Sequence, residues 1–409
     1  MKKVLIHTLI FGPDGVSTAY LYNDIALRFQ REGYEVVVLT TTPHFNIVEE
    51  QIAQQPLHWK IWGLCKESSL NGIKVYHIPQ KKFHSTLLRV LGFVYWHIVS
   101  FLTALFIRNV DVILAPSPPL TVGAVSVLLG KLKRCKVIYN VQEIYPDILK
   151  LKPGLVHSTL SKLERFVYNH SDAVCTIDDI FYNTILPRFK DQKKVHIIPN
   201  FVDTEVYKPV EWKGMLNPQL FPQTSGIRLL YAGNVGYAQD WEPLVQLAEI
   251  TRHDDVDYFI VGEGVMKAKL AEDVKNRQLA RVHILPYQPR EMMPAIIAYS
   301  DLQFIFMNPK MEREGFPSKV YTIMACAKPL LIGSGKDTPL YNFLSDKGCA
   351  KIVGGTSAEE KADAMAQWLK CVSKKELMQM GLQGQTIIQG HYTKEIVTKQ
   401  YVDLALSLI

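Results

Sequence analysis

Short runs of β-branched and other apolar residues recur along the chain, each followed by a stretch whose apolar positions fall at helical spacing. The runs at 3–9, 35–40, 74–78, 112–115, 136–141, 173–177 and 195–198 predict strands, and spacers such as 17–32 and 120–132 predict helices. Repeated strand–helix units imply a parallel sheet with helices on both faces, because each crossover must pack back on the sheet it left. A polar passage through Pro209, Pro218 and Pro222 lacks periodicity and predicts a linker. The alternation restarts at 228–232, 257–261, 281–285, 302–307, 329–332 and 350–353, with helices at 241–251 and 266–277. The expected fold class is therefore α/β, with two doubly wound Rossmann-like domains at 1–204 and 205–390. Beyond them, 391–409 carries Ile396, Val397, Tyr401, Leu404 and Leu408 at helical spacing. Such a helix either packs back on the first domain or caps its own. Open sheets of this kind bind ligands outside the carboxyl ends of their strands, so two sheets facing across a cleft would suit group transfer.

Composition sharpens this only in places. With 409 residues, 48% hydrophobic and 21% charged, the chain can bury two large cores. A net charge of +7 without dense Lys/Arg tracts argues against a nucleic-acid partner and suits an anionic substrate or membrane surface. Cys65, Cys135, Cys175, Cys326, Cys349 and Cys371 show neither C-x-x-C nor metal-ligand spacing, which predicts free thiols in a reducing cytosol. Met1-Lys2-Lys3 runs into a strand rather than a long apolar stretch, so no signal peptide is expected. Residues 90–107 are eighteen uncharged positions, with His97 the sole ionisable one. That reaches the lower length limit of a membrane span, yet Tyr95 and Trp96 sit mid-segment and Gly92, Ser100 and Thr103 dilute it. Three readings stay open: a core helix that also touches a bilayer, a plain buried helix, or a span.

The chemistry narrows by elimination first. The chain has no G-x-x-x-x-G-K-[ST], no G-x-G-x-x-G after a strand, no G-x-S-x-G and no H-E-x-x-H. What it does have is Gly-rich loops at strand ends: Gly12 and Gly15 before a helix that Ser17 would cap, Gly233-Asn234-Val235-Gly236 running to Gln239, and Gly262-Glu263-Gly264. Glycines there let a ligand approach the backbone closely, or simply make tight turns. Glu314-Gly315-Phe316-Pro317-Ser318-Lys319 then opens a segment of helical spacing after the strand at 302–307. A helix mouth offers unpaired N–H groups to a phosphate, Lys319 would add a charge, and Glu314 could accept sugar hydroxyls. In the first domain Asp14, His44, Glu143 and Asp147 lie in loops after strands, where they could receive acceptor hydroxyls or cap helices.

The ordered set FGPDG, YEVVVLTTTPHFN, APSPPLTVG, NVQEIYPD, IPNFVDTEVYKP, YAGNVGYAQDW, IVGEGVMKAKL and EGFPSKVYTIMACAKPLL resembles the GT-B-fold retaining glycosyltransferases of the family-4 type. The likeness runs the length of the chain and is strongest to the O-antigen, capsule and colanic acid branch that includes N-acetyl-L-fucosamine transferases. It implies transfer of a sugar from a nucleoside diphosphate, UDP foremost, to a polyprenyl-diphosphate-linked or oligosaccharide acceptor. It further implies a retained anomeric configuration, no metal or other cofactor, and work at the cytoplasmic face of the plasma membrane with peripheral membrane contact. Glu314 matches the first Glu of the family's E-x7-E element, whereas the second falls on Thr322, which cannot supply a carboxylate's paired bonds to a ribose. The family's diphosphate-binding Arg and Lys fall on Asn234 and Gln239. Lys319, with the N–H groups of Gly315, Phe316 and Ser318 at the Pro317 turn, is the expected replacement, and Glu314 and Lys319 are the expected catalytic pair. Gly12, Gly15, Gly233, Gly262 and Glu263 are expected to approach the donor. Two other readings remain at this stage: a nucleotide-sugar epimerase of the same fold, and a non-catalytic partner subunit.

Overall fold

The computed structural model describes residues 1–44, 49–80, 85–313 and 316–409. Two compact units divide the chain: Met1–Asn200 with Glu395–Ile409, and Phe201–Lys394.

In the first unit the strands are β1 (Lys3–His7), β2 (Glu35–Thr41), β3 (His58–Lys60), β4 (Cys65–Leu70), β5 (Ile73–Ile78), β6 (Val112–Pro116), β7 (Lys136–Val141), β8 (Ala173–Thr176) and β9 (Val195–Ile197). They form one sheet in the order β3-β4-β5-β2-β1-β6-β7-β8-β9. Its helices are α1 (Ser17–Arg31), α2 (Glu49–Gln54), α3 (Thr86–Phe106), α4 (Leu120–Lys133), α5 (Leu155–His170) and α6 (Asp179–Ile185). Val4 to Ile6 and Val112 to Ala115 are almost wholly enclosed, which is why β1 and β6 read as unbroken apolar runs. The sheet is not all parallel as expected: β4 runs antiparallel to both β3 and β5. Its turn explains this. Asn71 and Gly72 adopt φ of 50° and 84°, the backbone that a two-residue hairpin requires. Nor does Ser17 cap α1; the extended Val16 stands at the cap position and Ser17 is already helical.

The second unit's strands β10 (Ile227–Ala232), β11 (Val256–Val261), β12 (Val282–Leu285), β13 (Leu302–Phe306), β14 (Leu330–Gly333) and β15 (Ala350–Val353) are ordered β12-β11-β10-β13-β14-β15. Every pair is parallel, so all carboxyl ends share one edge. Around them lie α7 (Glu242–Ile250), α8 (Lys267–Asn276), α9 (Met293–Tyr299), α10 (Lys319–Ala325), α11 (Pro339–Leu344), α12 (Ala358–Cys371) and α13 (Lys374–His391). The passage expected as a linker is instead part of this unit's core. Leu216 and Phe221 are buried beside Phe259 and Tyr299, Trp212 meets the Tyr299 ring edge-on at 5.0 Å, and the Tyr299 hydroxyl donates to the Pro222 carbonyl at 2.6 Å. Enclosing one such aromatic contributes roughly 2–3 kcal/mol, more than a tether would recover. The boundary accordingly falls at Phe201, because Val202 bridges Thr393 and exchanges backbone bonds with Tyr392 and Lys394.

The last helix, α14 (Lys394–Leu408), belongs with the first unit from Glu395 onward. Arg28 and Arg31 of α1 hold the Glu395 carboxylate at 2.6 and 3.1 Å. Deeper in, the buried Asn140 amide donates to the Tyr401 hydroxyl at 2.9 Å, while its oxygen accepts from the Tyr22 hydroxyl at 2.6 Å. A polar residue inside an apolar strand is expensive unless partnered, and both tyrosines partner it.

Candidate functional site

In the second unit, successive strands step one way from β10 to β12 and the other way from β13 to β15. The reversal lies between β10 and β13, the position where open α/β sheets receive ligands at their carboxyl edge. Three loops border it, and they are tied to one another. The Asn308 N–H donates to Ala238 O at 3.0 Å and its amide to Tyr237 O at 2.9 Å, joining the loops after β13 and β10. Glu312 accepts from the Gly335 N–H at 2.8 Å and from the Ser334 hydroxyl at 3.3 Å, joining the loop after β13 to that after β14. The residues after β10 and β11 are zipped together by Gly233 N–H to Val261 O at 2.9 Å and Val235 N–H to Glu263 O at 2.8 Å.

That zipper explains the glycines. A Cβ on Gly262 would stand 1.9 Å from the Gly233 carbonyl oxygen, and one on Gly264 2.3 Å from that of Val235. Gly262 thus admits a neighbouring backbone on the side a Cβ would occupy, a packing reason for this glycine that stands apart from the expected donor contact. Gly233 is different. At φ +145°, a Cβ there would lie 2.6 Å from the Lys319 Nζ, so the missing side chain is the space the ammonium occupies.

Lys319 is the chief feature of this edge. It begins α10 beyond β13, yet its Nζ returns across the reversal to donate to Ala232 O, at the end of β10, at 3.1 Å. The ammonium also sits 3.7 Å from the centre of the Tyr231 ring, whose hydroxyl holds Asn234 O at 2.7 Å. Burial pulls the Lys319 pKa down to about 7. Among the described residues no carboxylate pairs with it. An anion arriving at the reversal would meet this cation.

Other expected donor residues fare less well. Glu314 and Gly315 lie outside the described residues. Helix α10 has seven residues, too short for its dipole to matter greatly, so the expected phosphate seat at its mouth rests on Lys319. Phe316 packs its half-buried ring against Tyr321 and Phe343 at 5.2 and 5.0 Å. Pro317 and Ser318 accept the first helical N–H groups, from Val320 and Tyr321. Gln239 is buried with its Oε1 on the Phe306 N–H at 3.2 Å, and so ties a loop to β13 instead of reaching a diphosphate. The Thr322 hydroxyl donates back to Lys319 O at 2.8 Å, leaving acceptor lone pairs but no donor for a ribose. Asn234 is exposed on the rim. Glu263 is also exposed and pairs with Lys267 at 2.6 Å, which holds its carboxyl below the usual range. Lys267 itself, bonded also to Leu285 O at 3.3 Å, is a second rim cation that the sequence reading missed; its position four after Glu263 on a helix start was the available signal. Glu312 was missed as well.

In the first unit the reversal lies between β1 and β6. The loop after β1 is fastened from several sides. The Gly12 N–H donates to Asn23 Oδ1 at 3.0 Å, so it does not point to a diphosphate as expected, and Gly12 O accepts from Gln55 at 3.3 Å. Gly15 is partly exposed two residues before α1. Asp14 is buried and accepts the His44 N–H at 2.8 Å, so the structure brings these two together as a loop clasp. The His44 ring faces Thr42 O at 2.8 Å and Thr41 Oγ1 at 3.3 Å. Beyond β7, the Glu143 N–H meets the Ser117 hydroxyl at 3.2 Å, and burial pushes its carboxyl pKa up. Asp147 pairs with Arg188 at 2.6 Å, and Arg188 in turn holds the buried Glu164 at 2.6 Å, so the half-exposed Asp147 carboxylate is already engaged by the scaffold. Among the described residues no group of three or more His, Cys, Asp or Glu gathers as a metal cage.

Comparison with known proteins accords with this layout. The model of Glycosyltransferase Family 4 matches residues 19–206, and that of Glycosyl transferases group 1 matches 217–385. WcaI of Escherichia coli K12, named for glycosyl transfer in colanic acid biosynthesis, is 23% identical over 335 residues, 79% of this chain and 81% of that protein. WbjE of Pseudomonas aeruginosa, named as a glycosyltransferase, is 22% identical over 72% of this chain and 74% of its own length. Among solved structures, Anabaena HepE in complex with UDP superposes with a TM-score of 0.72 at 14% identity, covering 100% of both chains. Sucrose-phosphate synthase from Thermosynechococcus elongatus gives 0.74 at 13%, covering 100% of this chain and 99% of that one. At such identities these structures speak to the fold.

Proposed function

Because the chain belongs to the GT-B-fold glycosyltransferases of the family-4 type, we propose that it moves a sugar from a nucleoside diphosphate, UDP foremost, to a polyprenyl-diphosphate-linked or oligosaccharide acceptor. The observation that carries this reading is the Lys319 ammonium lodged at the reversal between β10 and β13 without a carboxylate partner among the described residues. The UDP in the HepE complex and the colanic acid naming of WcaI support the choice of donor class and of surface-polysaccharide assembly.

The chemistry proceeds as follows. The bond from the anomeric carbon to the β-phosphate oxygen breaks, and the acceptor hydroxyl oxygen bonds to that carbon from the same face. The departing phosphate oxygen takes the hydroxyl's proton, so the configuration is retained and no side-chain base is needed. Negative charge accumulates on the diphosphate, and Lys319 neutralises it; the same charge would restore the protonation that burial opposes. Glu314 takes the donor sugar's hydroxyls in this scheme. Asp14 and His44 hold the loop on the first unit that receives the acceptor, and Glu143, whose N–H meets the Ser117 hydroxyl, follows β7 of the same unit. The reading needs neither metal nor cofactor and places the reaction on the cytoplasmic side of a membrane.

Donor labelled in the sugar, incubated with a polyprenyl-diphosphate-linked saccharide, tests it. Label in the lipid fraction, unaffected by EDTA, is the expected result. Label recovered as an isomerised nucleotide-sugar would mark an epimerase, and binding without turnover a partner subunit.

A further inference from the structure

Helix α3 is amphipathic in the wrong sense for water. Its outward side carries Leu91, Val94, Ile98, Leu102 and Leu105, each between 41% and 55% exposed. Its inward side carries Trp96, Ser100 and Thr103, all fully enclosed, with no partner for the Trp96 Nε1 and the Thr103 hydroxyl among the described residues. Water selects the opposite arrangement. An apolar stripe of this length turned outward marks a contact surface.

The neighbours extend it. Helix α4 packs beside α3 and exposes Leu128 and Leu132, and Lys133 binds the carbonyls of Leu105 and Ile107 at 3.3 and 2.6 Å. Helix α5 packs beside α4, and the segment leading into it, Leu149-Lys150-Leu151-Lys152-Pro153-Gly154-Leu155-Val156, exposes leucines between lysines, with Leu155 85% exposed. The exposed charge on this layer is predominantly basic: Glu164 of α5 is buried against Arg188, and the half-exposed Asp147 is paired with the same arginine. Residues 85–110, 112–142 and 148–163 contain no Asp or Glu, while Arg89, Arg108, Lys131, Arg134, Lys152 and Lys162 are all exposed.

We propose that the α3–α4–α5 face of the first unit docks in the plane of a bilayer rich in anionic phospholipid, with the outer side of α3 at the headgroup–acyl boundary. An apolar stripe rimmed by basic side chains complements that surface on both counts: the leucines enter the acyl layer and the lysines and arginines meet the phosphates. A second copy presenting the same face would oppose like charges, so self-association through it is disfavoured. Although Leu87–Phe106 is long and apolar enough to cross a membrane, α3 joins β5 to β6, and strands on either side of it in sequence share one sheet. Spanning would place parts of that sheet on opposite sides of the bilayer. Docking stands without the transfer reading, since vesicle binding requires no donor.

The test uses the full chain with vesicles of phosphatidylglycerol and phosphatidylethanolamine, against vesicles of phosphatidylcholine, read by co-sedimentation. Binding to the anionic vesicles is expected, roughly 25-fold weaker for Arg108→Gln with Lys152→Gln, from about fivefold per basic residue at an anionic surface. Ile98→Asp with Leu102→Asp should reduce it to the level seen with phosphatidylcholine. Both pairs are exposed, so the melting temperature should hold and separate docking from folding. The proposal is overturned by equal binding to both vesicle types or to none. It is also overturned by retention through an alkaline carbonate wash, which marks a span, or by a dimer that the aspartate pair splits without altering vesicle binding.

Discussion

The two carboxyl edges are built alike and charged differently. In the first unit, acidic side chains are absorbed into the scaffold: Asp14 clasps His44, and Asp147 joins Arg188 and Glu164. In the second, backbone packs on backbone through Gly262 and Gly264, and the side chain at the reversal is a cation, Lys319. One edge therefore ties its acidic side chains into the scaffold, and the other carries a lysine that no carboxylate pairs with among the described residues. The difference teaches which edge wants the anionic ligand, and it does so without the Arg–Lys pair that the resemblance would have supplied at Asn234 and Gln239.

The largest test of that asymmetry is Lys319→Ala. Turnover should fall by about a hundredfold or more, the loss typical of removing one preorganised donor at a developing oxyanion, while the fold persists. Near-normal turnover would take the cation out of the reaction. Next comes Gly262→Ala, whose Cβ would meet the Gly233 carbonyl at a φ of +149°. A stability loss of roughly 2–3 kcal/mol in chemical denaturation is expected, because neither backbone can yield cheaply. A milder result would mean the zipper is looser than it looks.

A pH profile sharpens the same point. Lys319 carries its proton below about pH 7 in the free chain and loses it above. kcat/KM should therefore decline as pH rises through about 7, and Lys319→Arg, which stays charged, should flatten that limb. A profile unchanged by the arginine would assign the limb to another group. The smallest effect is expected from Asp147→Asn. Its carboxylate is half exposed and already engaged by Arg188, so stability should fall by about 1 kcal/mol or less and turnover by no more than about threefold. A loss comparable with that of Lys319→Ala would erase the contrast between the edges.

Much of the fold was legible because enclosed parallel strands write themselves as largely apolar runs, as at 112–115 and 302–307. The antiparallel hairpin left a signal in Asn71-Gly72, but its strand Cys65–Leu70 is mostly polar and gives no strong alternation. The passage at 209–222 hid its role because Trp212, Leu216 and Phe221 bury through tertiary contact, not periodicity. At the site, glycine and lysine positions were visible while their directions were not. Gly262 lies against Gly233 only because β11 pairs with β10, and Gln239 turns inward only because β13 adjoins them. Strand adjacency of that kind is a property of the sheet, and no local pattern encodes it.

The bond from Asn140 to Tyr401 joins residues 261 positions apart. During synthesis the amino-terminal sheet therefore waits: its buried amide has the Tyr22 phenol but lacks that of Tyr401 until the whole intervening unit has left the ribosome. A nascent chain stalled before Glu395 would hold a finished second unit beside an incomplete first one, open at the seam where Tyr22 and Asn140 lie. Birth order and completion order are thus reversed in this molecule.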